Sequence, residues 1–382
     1  MRRLQAYLNN FFWLFLTYFL APLFYLLIAL RKKNARLKIL VIQTAKIGDL
    51  VCTTPVFREI KKQFPNCFLA ALVIPRAEDI LKNNPHLDET ILLPGVARIT
   101  ERIKLIRKLR KEKYDWVIST IPDAFTKIIG LWSLIPNRVA TTYHYSGEIT
   151  KLLSVFSNYR LEYKRHTFLL RHYLNLLKFL GIDNVSEKKE IFIQPSENEK
   201  ATNFLRNHGL NEDDLLVGIS ISAGVKLKEW GIANFVSLAD QLVEKLKAKI
   251  IFIGGPADSP LIKQTQKMMR NNSLNAANNF KLYESAALLK KLKLFISVDT
   301  GPLYIANTVG TPVVVISGPC GMREQSPSGD KFKIVQKDIY CVPCSFVIVG
   351  ARVCKEGHLR CLKETTPEEV FDAAVDLISE GK

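Results

Sequence analysis

The sequence predicts an α/β protein built from two doubly wound domains behind one N-terminal apolar segment. Three observations carry this. Short β-branched runs alternate with longer stretches at helical spacing, the pattern of βαβ units around a parallel sheet. The alternation halts at the polar run 195–199 (PSENE) and then restarts. Residues 11–30 (FFWLFLTYFLAPLFYLLIAL) carry no charge. A length of 382 residues suits about two domains. The hydrophobic share of 48% and charged share of 24% exclude a disordered or fibrous chain, and seven cysteines in this length exclude a small disulfide-stapled scaffold.

As a helix, the apolar segment rises about 30 Å, the thickness of the bilayer hydrocarbon core. A cleavable signal would be shorter and would end in a small-x-small site, whereas Arg31, Lys32 and Lys33 follow here. With Arg36 and Lys38 they outnumber Arg2 and Arg3 in front. The positive-inside bias then places the rest of the chain at the cytoplasmic face of the inner membrane, anchored by residues 11–30. Pro22 lies mid-segment, and a re-entrant or interfacial hairpin is the alternative to a span. The net charge of +18 favours an anionic partner: nucleic acid, an acidic membrane surface or a phosphorylated substrate. Nucleic acid is disfavoured, because no helix-turn-helix, RNP or zinc-finger pattern is present.

Strands are predicted at 38–43, 68–74, 89–93, 115–120, 138–141 and 190–194, each a short apolar or β-branched run. Helices at 50–64, 103–113 and 167–180 separate some of them. The second half predicts strands at 215–222, 249–254, 294–298 and 312–317, with helices at 233–247, 260–270, 283–292, 303–309 and 367–379. Ser196 and Glu199 have capping-box spacing, and Thr366 before Pro367 suits an N-cap followed by proline at the first helical position. The domains are therefore 1–37 (anchor and basic flank), 38–195 and 196–382.

Ligands of open α/β sheets bind outside the carboxyl ends of the strands, so the loops there hold the candidates. After the first strand come Lys46-Ile47-Gly48-Asp49 and a helix, with no G-x-G-x-x-G dinucleotide fingerprint. Asp49 at a helix start, where the dipole favours negative charge, is either a cap or a general base. The strand at 215–222 runs into Ala223, Gly224 and Lys228-Glu229-Trp230; small residues admit a ligand to the backbone, and a lysine there meets either solvent or phosphate. Gly254-Gly255-Pro256 leads to Asp258, a ribose contact or a helix cap. The sharpest segment is Val298-Asp299-Thr300-Gly301, a buried strand opening into a helix whose first N–H groups suit a diphosphate; an ordinary turn capped by Asp299 is the alternative.

Cys341 and Cys344 have metal-ligand spacing, and with Cys354 and Cys361 they are candidates for a structural metal or for free or redox-active thiols. Cys52, Cys67 and Cys320 read as scattered small apolar residues. The helix at 103–113 carries six basic residues, either a solvated face or a surface for acidic lipid.

Taken together, Ile47-Gly48-Asp49 with Thr53-Thr54-Pro55, Lys228-Glu229-Trp230, Gly254-Gly255-Pro256 and Val298-Asp299-Thr300-Gly301 resemble glycosyltransferase family 9, whose best-known members are ADP-heptose:lipopolysaccharide heptosyltransferases. The resemblance runs from about Lys38 to Ser379. It implies a GT-B fold: two Rossmann-like domains facing a cleft, the first for the acceptor and the second for the nucleotide-sugar, with the last helix packing back on the N-terminal domain. It implies an inverting, metal-independent transferase needing no cofactor. The donor would be ADP-heptose and the acceptor a lipid-linked saccharide such as the lipopolysaccharide inner core. Asp49 matches the family's general base, Lys228 its phosphate-binding lysine, Asp258 its ribose-contacting acid (Glu in heptosyltransferases), and Asp299, Thr300 and Gly301 its diphosphate loop. Tyr304 stands where the family usually has His. Basic Lys46, Arg58, Lys61 and Lys62 either face an anionic acceptor or have an ordinary surface role. The alternatives are a nucleotide-sugar epimerase of the same fold, or a non-catalytic binder of nucleotide-sugars.

Overall fold

The computed structural model describes residues 2–93 and 99–380; Met1 and residues 381–382, the outer ends of the expected first and last domains, lie outside them, as do the side chains of residues 2–10. The chain divides into two units, Met1–Glu187 and Lys188–Lys382. The division falls slightly ahead of the expected boundary at 195. Lys189 accounts for this: its ammonium donates to Asn307 Oδ1 at 2.8 Å and ties the connecting segment to the second unit.

The first unit holds a six-stranded sheet: β1 (Lys38–Gln43), β2 (Phe68–Val73), β3 (Glu89–Leu92), β4 (Trp116–Ser119), β5 (Asn137–Tyr143) and β6 (Tyr159–Tyr163). Its spatial order is β3-β2-β1-β4-β5-β6, and every neighbouring pair is parallel. The second unit holds β7 (Leu216–Ser220), β8 (Lys249–Phe252), β9 (Ser273–Asn275), β10 (Leu294–Val298), β11 (Val313–Ile316) and β12 (Phe332–Val335). Its order is β12-β11-β10-β7-β8-β9, again all parallel. Counted from its own first strand, the second sheet repeats the order of the first, which is that of the Rossmann fold. Central strands are buried along their length, as β7 and β10 are, so they read as unbroken apolar runs.

Several expectations are corrected. Residues 190–194 form no strand; the sixth strand of the first sheet is β6, whose sequence YRLEY alternates because only one face is covered. The helix after the break begins at Pro195 with Gln194 as N-cap, and it is Glu197, not Glu199, whose carboxylate takes the N-cap N–H, at 2.8 Å. Proline at the first helical position moves the start forward. Thr366 does cap the last helix, Pro367–Glu380: its hydroxyl accepts from Glu369 N–H, and Glu369 accepts from Thr366 N–H. That helix lays its buried face (Val370, Phe371, Ala374, Leu377) on the core of its own unit.

The N-terminal apolar stretch is the single helix α1 (Arg2–Ala29), continuous through Pro22. Phe11–Ala29 is long and apolar enough to cross a membrane by length and composition. Yet one face is docked on the first unit. Trp13, Ala21 and Phe24 join its core, and the rings of Trp13 and Phe24 both meet Trp132 edge-on at 4.9 and 5.1 Å. The Thr17 hydroxyl accepts from Trp132 Nε1–H at 2.9 Å. Just past the helix, the Arg31 guanidinium donates to the carbonyls of Lys113 and Tyr114 and to Asp115.

Gly218 sits mid-strand in β7, where an added Cβ would lie 2.4 Å from Leu292 Cδ1 and 2.9 Å from Phe295 Cδ2. Gly218→Ala should therefore cost about 1–3 kcal/mol by overpacking. Chemical denaturation of the two forms checks this; an unchanged midpoint would show that the Leu292 and Phe295 side chains yield freely.

Candidate active site

In each sheet the chain runs outward from the first strand on one side and then returns to begin again on the other. The switch points lie between β1 and β4 and between β7 and β10, and loops leaving neighbouring strands there part to make a crevice. The candidates fall at these two places.

In the second unit, Lys228 ends a short 3-10 turn after β7 (Lys226–Lys228). Trp230 fixes that turn: its ring is buried against Phe235, and its Nε1–H donates to the Thr365 carbonyl at 2.9 Å. Asp299 follows β10. The Lys228 ammonium donates to Asp299 Oδ2, bridging the switch point. The Tyr304 hydroxyl donates to Asp299 Oδ1 at 2.6 Å and also lies 2.9 Å from the Gln325 carbonyl. Burial acts to lower the Lys228 pKa, but the Asp299 charge outweighs it and holds the ammonium above its ordinary value. Burial likewise acts to raise Asp299, and Lys228 with Tyr304 holds the carboxylate below its ordinary range. Cys320, read above as a scattered apolar residue, lies against this pair, and its thiol is pushed well up by burial and then by the Asp299 charge.

Asp299 is thus not the N-cap of the helix that follows. Thr300 is, and the helix Gly301–Thr308 starts directly behind it. Pro302 has no N–H, and Leu303 N–H turns back to the Thr300 carbonyl at 3.2 Å. The first-turn amides of a helix have no intrahelical partner, so this tip suits an anion. Ala223 packs against the core, while a Cβ on Gly224 would meet nothing within 4 Å, so the loop after β7 leaves its backbone approachable. Asp258 folds back on its own turn: it accepts from Ser222 Oγ at 2.6 Å and from Gly255 N–H at 2.7 Å, linking the loops after β7 and β8. A Cβ on Gly254 would lie 2.8 Å from the Asp258 side chain, so glycine is what lets that carboxylate approach.

In the first unit, α2 (Ile47–Gln63) follows β1, and Asp49 lies in its first turn, buried, accepting from Lys46 N–H at 3.1 Å. The Tyr173 phenol beside it is raised by burial and then by the Asp49 charge, and is hydrogen-bonded to Gln43. A buried polar cluster lies further along the same sheet. Lys127 donates to the Thr141 carbonyl, and the Thr141 hydroxyl and His172 Nε2 are hydrogen-bonded at 3.0 Å. Burial lowers Lys127 to about 8 against the opposing charge of Asp123, and burial with the Lys127 charge lowers His172 to about 4. Gln43, Tyr173, Lys127, His172 and Cys320 were not anticipated; the one available signal was polar residues inside otherwise apolar elements.

Of the basic candidates in the first unit, Arg58 and Lys61 make structural contacts. Arg58 pairs with Glu59 and donates to the Ser186 carbonyl, and Lys61 pairs with Asp88 at 2.6 Å; Lys46 and Lys62 are exposed. Cys341, Cys344, Cys354 and Cys361 are free thiols. Burial and then the neighbouring cysteines push Cys361 up to about 11. Among the described residues, no group of three or more His, Cys, Asp or Glu is placed to hold a metal ion. Cys361 is buried in the apolar core whereas Cys344 is exposed.

Two Rossmann-like sheets, with a lysine and a helix tip at the switch point of the second, define the GT-B class. The model of glycosyltransferase family 9 (heptosyltransferase) matches residues 102–347, more than half of the chain, and the chain belongs to that family. It is 22% identical over 364 residues to lipopolysaccharide heptosyltransferase 2 of Salmonella typhimurium, covering 90% of this chain and 99% of the relative. Among solved structures, the family 9 glycosyl transferase of Veillonella parvula superposes with a TM-score of 0.77 at 24% identity, covering 92% of this chain and all of that one. The E. coli ADP-heptose LPS heptosyltransferase II superposes with a TM-score of 0.71 at 17% identity, covering 90% and 99%.

Two outcomes follow from the geometry. Lys228→Met leaves the Asp299 carboxylate buried without its cation and should cost roughly 3–5 kcal/mol, part of which Asp299→Asn in the same chain should restore. Denaturation of the single and double variants checks this, and additive losses would mean the two groups do not couple. His172 titrates lower in the folded chain than in the unfolded one, so its contribution is complete above about pH 6.5 and is lost as the pH falls toward about 4. The acid loss of stability in that window should shrink by about 3 kcal/mol in His172→Asn; parallel pH–stability curves would rule the contribution out.

Proposed function

We propose that the chain is an inverting, metal-independent heptosyltransferase that moves heptose from ADP-heptose to a hydroxyl of a lipid-linked saccharide such as the lipopolysaccharide inner core. The observation that carries this reading is the buried Lys228–Asp299 pair beside a helix tip at the switch point of the second sheet. It supplies a fixed cation and first-turn amides for a pyrophosphate. The donor and acceptor are taken from the relatives, which are named as ADP-heptose and lipopolysaccharide enzymes.

In the reaction, the acceptor oxygen attacks the anomeric carbon from the face opposite the diphosphate, and Asp49 takes the hydroxyl proton as the new bond forms. The old bond breaks with its electron pair passing to the diphosphate oxygen. Lys228 and the amides about Thr300 and Gly301 offset the charge that grows there; one such preorganised donor contributes about 3–4 kcal/mol. Asp299 positions Lys228, and Tyr304 holds the other oxygen of Asp299, so tyrosine serves here in a role that needs no charge. Asp258 orders the loops against the ribose. The reaction needs no cofactor. The apolar helix and the excess of basic residues keep the enzyme at the acidic cytoplasmic face of the inner membrane, where a lipid-linked acceptor is presented.

Asp49→Ala should reduce transfer by roughly a hundred- to ten-thousand-fold. Nucleotide binding, read as thermal stabilisation by ADP, should be unchanged. Full turnover in this variant would remove Asp49 from the mechanism, and consumption of donor without acceptor would favour the epimerase.

A further inference from the structure

Helix α1 has no polar face between Phe11 and Leu30, which is unusual for a helix lying on a soluble domain. The structure divides its surface in two. One side, through Trp13, Thr17, Ala21 and Phe24, is docked on the helix Ala124–Trp132 and the residues after it. The other is an exposed stripe of Phe11, Phe15, Phe19, Leu23, Leu26 and Leu30, recurring at helical spacing along the whole segment. So long an apolar stripe, left open on a monomer, marks a contact surface.

We propose that α1 is a monotopic anchor that lies along the membrane surface, its exposed stripe sunk into an acidic leaflet and its opposite side kept on the first unit. The proposal rests on the membrane placement given above and specifies its mode. Three observations select it over a span. Docking places charged and polar groups against the C-terminal half of the helix: Arg110 over the Phe24 ring at 5.3 Å, Arg138 over the Tyr25 ring at 5.5 Å, and the Leu152 carbonyl, which accepts from the Tyr18 hydroxyl. In a spanning helix these would be carried into hydrocarbon, where guanidinium groups are costly. The far end of the helix is tied down by Arg31 to Tyr114 and Asp115. Finally, the missing polar face is accounted for when protein covers one side and acyl chains the other.

Charge selects lipid over a second copy of the chain. Exposed Lys32, Lys33 and Lys151 border the helix, and Lys104, Arg107 and Lys108 stand on the helix Ile99–Glu112. Lys104, Lys108 and Lys151 are paired with Glu101, Glu89 and Glu148, yet pairing two stripes would still bring together chains of net charge +18, whereas an anionic leaflet offsets that charge.

Two measurements on the full chain test this. The first places an epitope before Met1 and asks from which side of the inner membrane a protease removes it. Removal only in inverted vesicles is expected, since an in-plane helix keeps its N-terminus on the cytoplasmic side. Removal only in right-side-out spheroplasts means that the helix spans, which overturns the in-plane mode while leaving membrane placement intact. The second is flotation with vesicles of phosphatidylglycerol and phosphatidylcholine. Phe15→Glu with Phe19→Glu should lower the bound fraction by roughly tenfold or more, with the melting temperature in detergent unchanged because neither ring is part of the docked face. Trp13→Ala should instead lower the melting temperature. Failure of the parent chain to bind these vesicles would overturn membrane placement itself. A detergent-stable dimer dissolved by the double substitution would give the stripe to a second copy and overturn the proposal.

Discussion

The candidate donor site depends on one ion pair. Lys228 and Asp299 come from loops leaving neighbouring central strands, and neither could be buried alone without a large desolvation cost. Together they hold each other charged, and they brace the turn that precedes the helix at Gly301. Tyr304 takes the remaining oxygen of Asp299 and Cys320 lies alongside, so the carboxylate is fully engaged and the lysine has a fixed direction. The sheet order makes this possible, because only at the switch point do two adjacent loops part with their strand ends still side by side.

The same constraint explains what was legible in the amino-acid sequence and what was not. Central strands are covered on both faces, and runs such as KILVIQ and LFISV therefore announce themselves. Edge strands do not: β6 reads YRLEY because it alternates, β9 has only three residues, and β12 is half-exposed throughout. The helix Ala124–Trp132 was missed for the opposite reason. It is apolar on nearly every side, being wedged between the first sheet and α1, and so lacks the polar face by which periodicity is recognised.

The turns of the site were legible because Gly, Pro and Asp mark them locally. What the side chains do in those turns was not. Asp299 has the spacing of a cap but spends its carboxylate on a lysine 71 residues away in the chain, and no local rule reports such a partner. Asp258, left open between a ribose contact and a helix cap, stands at the N-cap of the helix Ser259–Met268 and is bonded to Ser222 and to its own turn. The polar residues 127, 141 and 172 come together only because β5 and two helices converge. The cysteine spacing left a structural metal or free thiols open, and the fold buries Cys361 within reach of the charges of Cys344, Cys341 and Cys354.

The docking of α1 on Trp132 also bears on biogenesis. Thr17 and its indole partner are 115 positions apart. During synthesis the apolar segment leaves the ribosome long before the surface that receives it has been made, since chains emerge N-terminus first at about 5–20 residues per second. For several seconds its greasy rings have no intramolecular home, and the nearest apolar phase is the bilayer or a chaperone. On the membrane placement proposed above, the anchor is committed while most of the chain is still unwritten, and the globular part folds onto a helix that has already found its place.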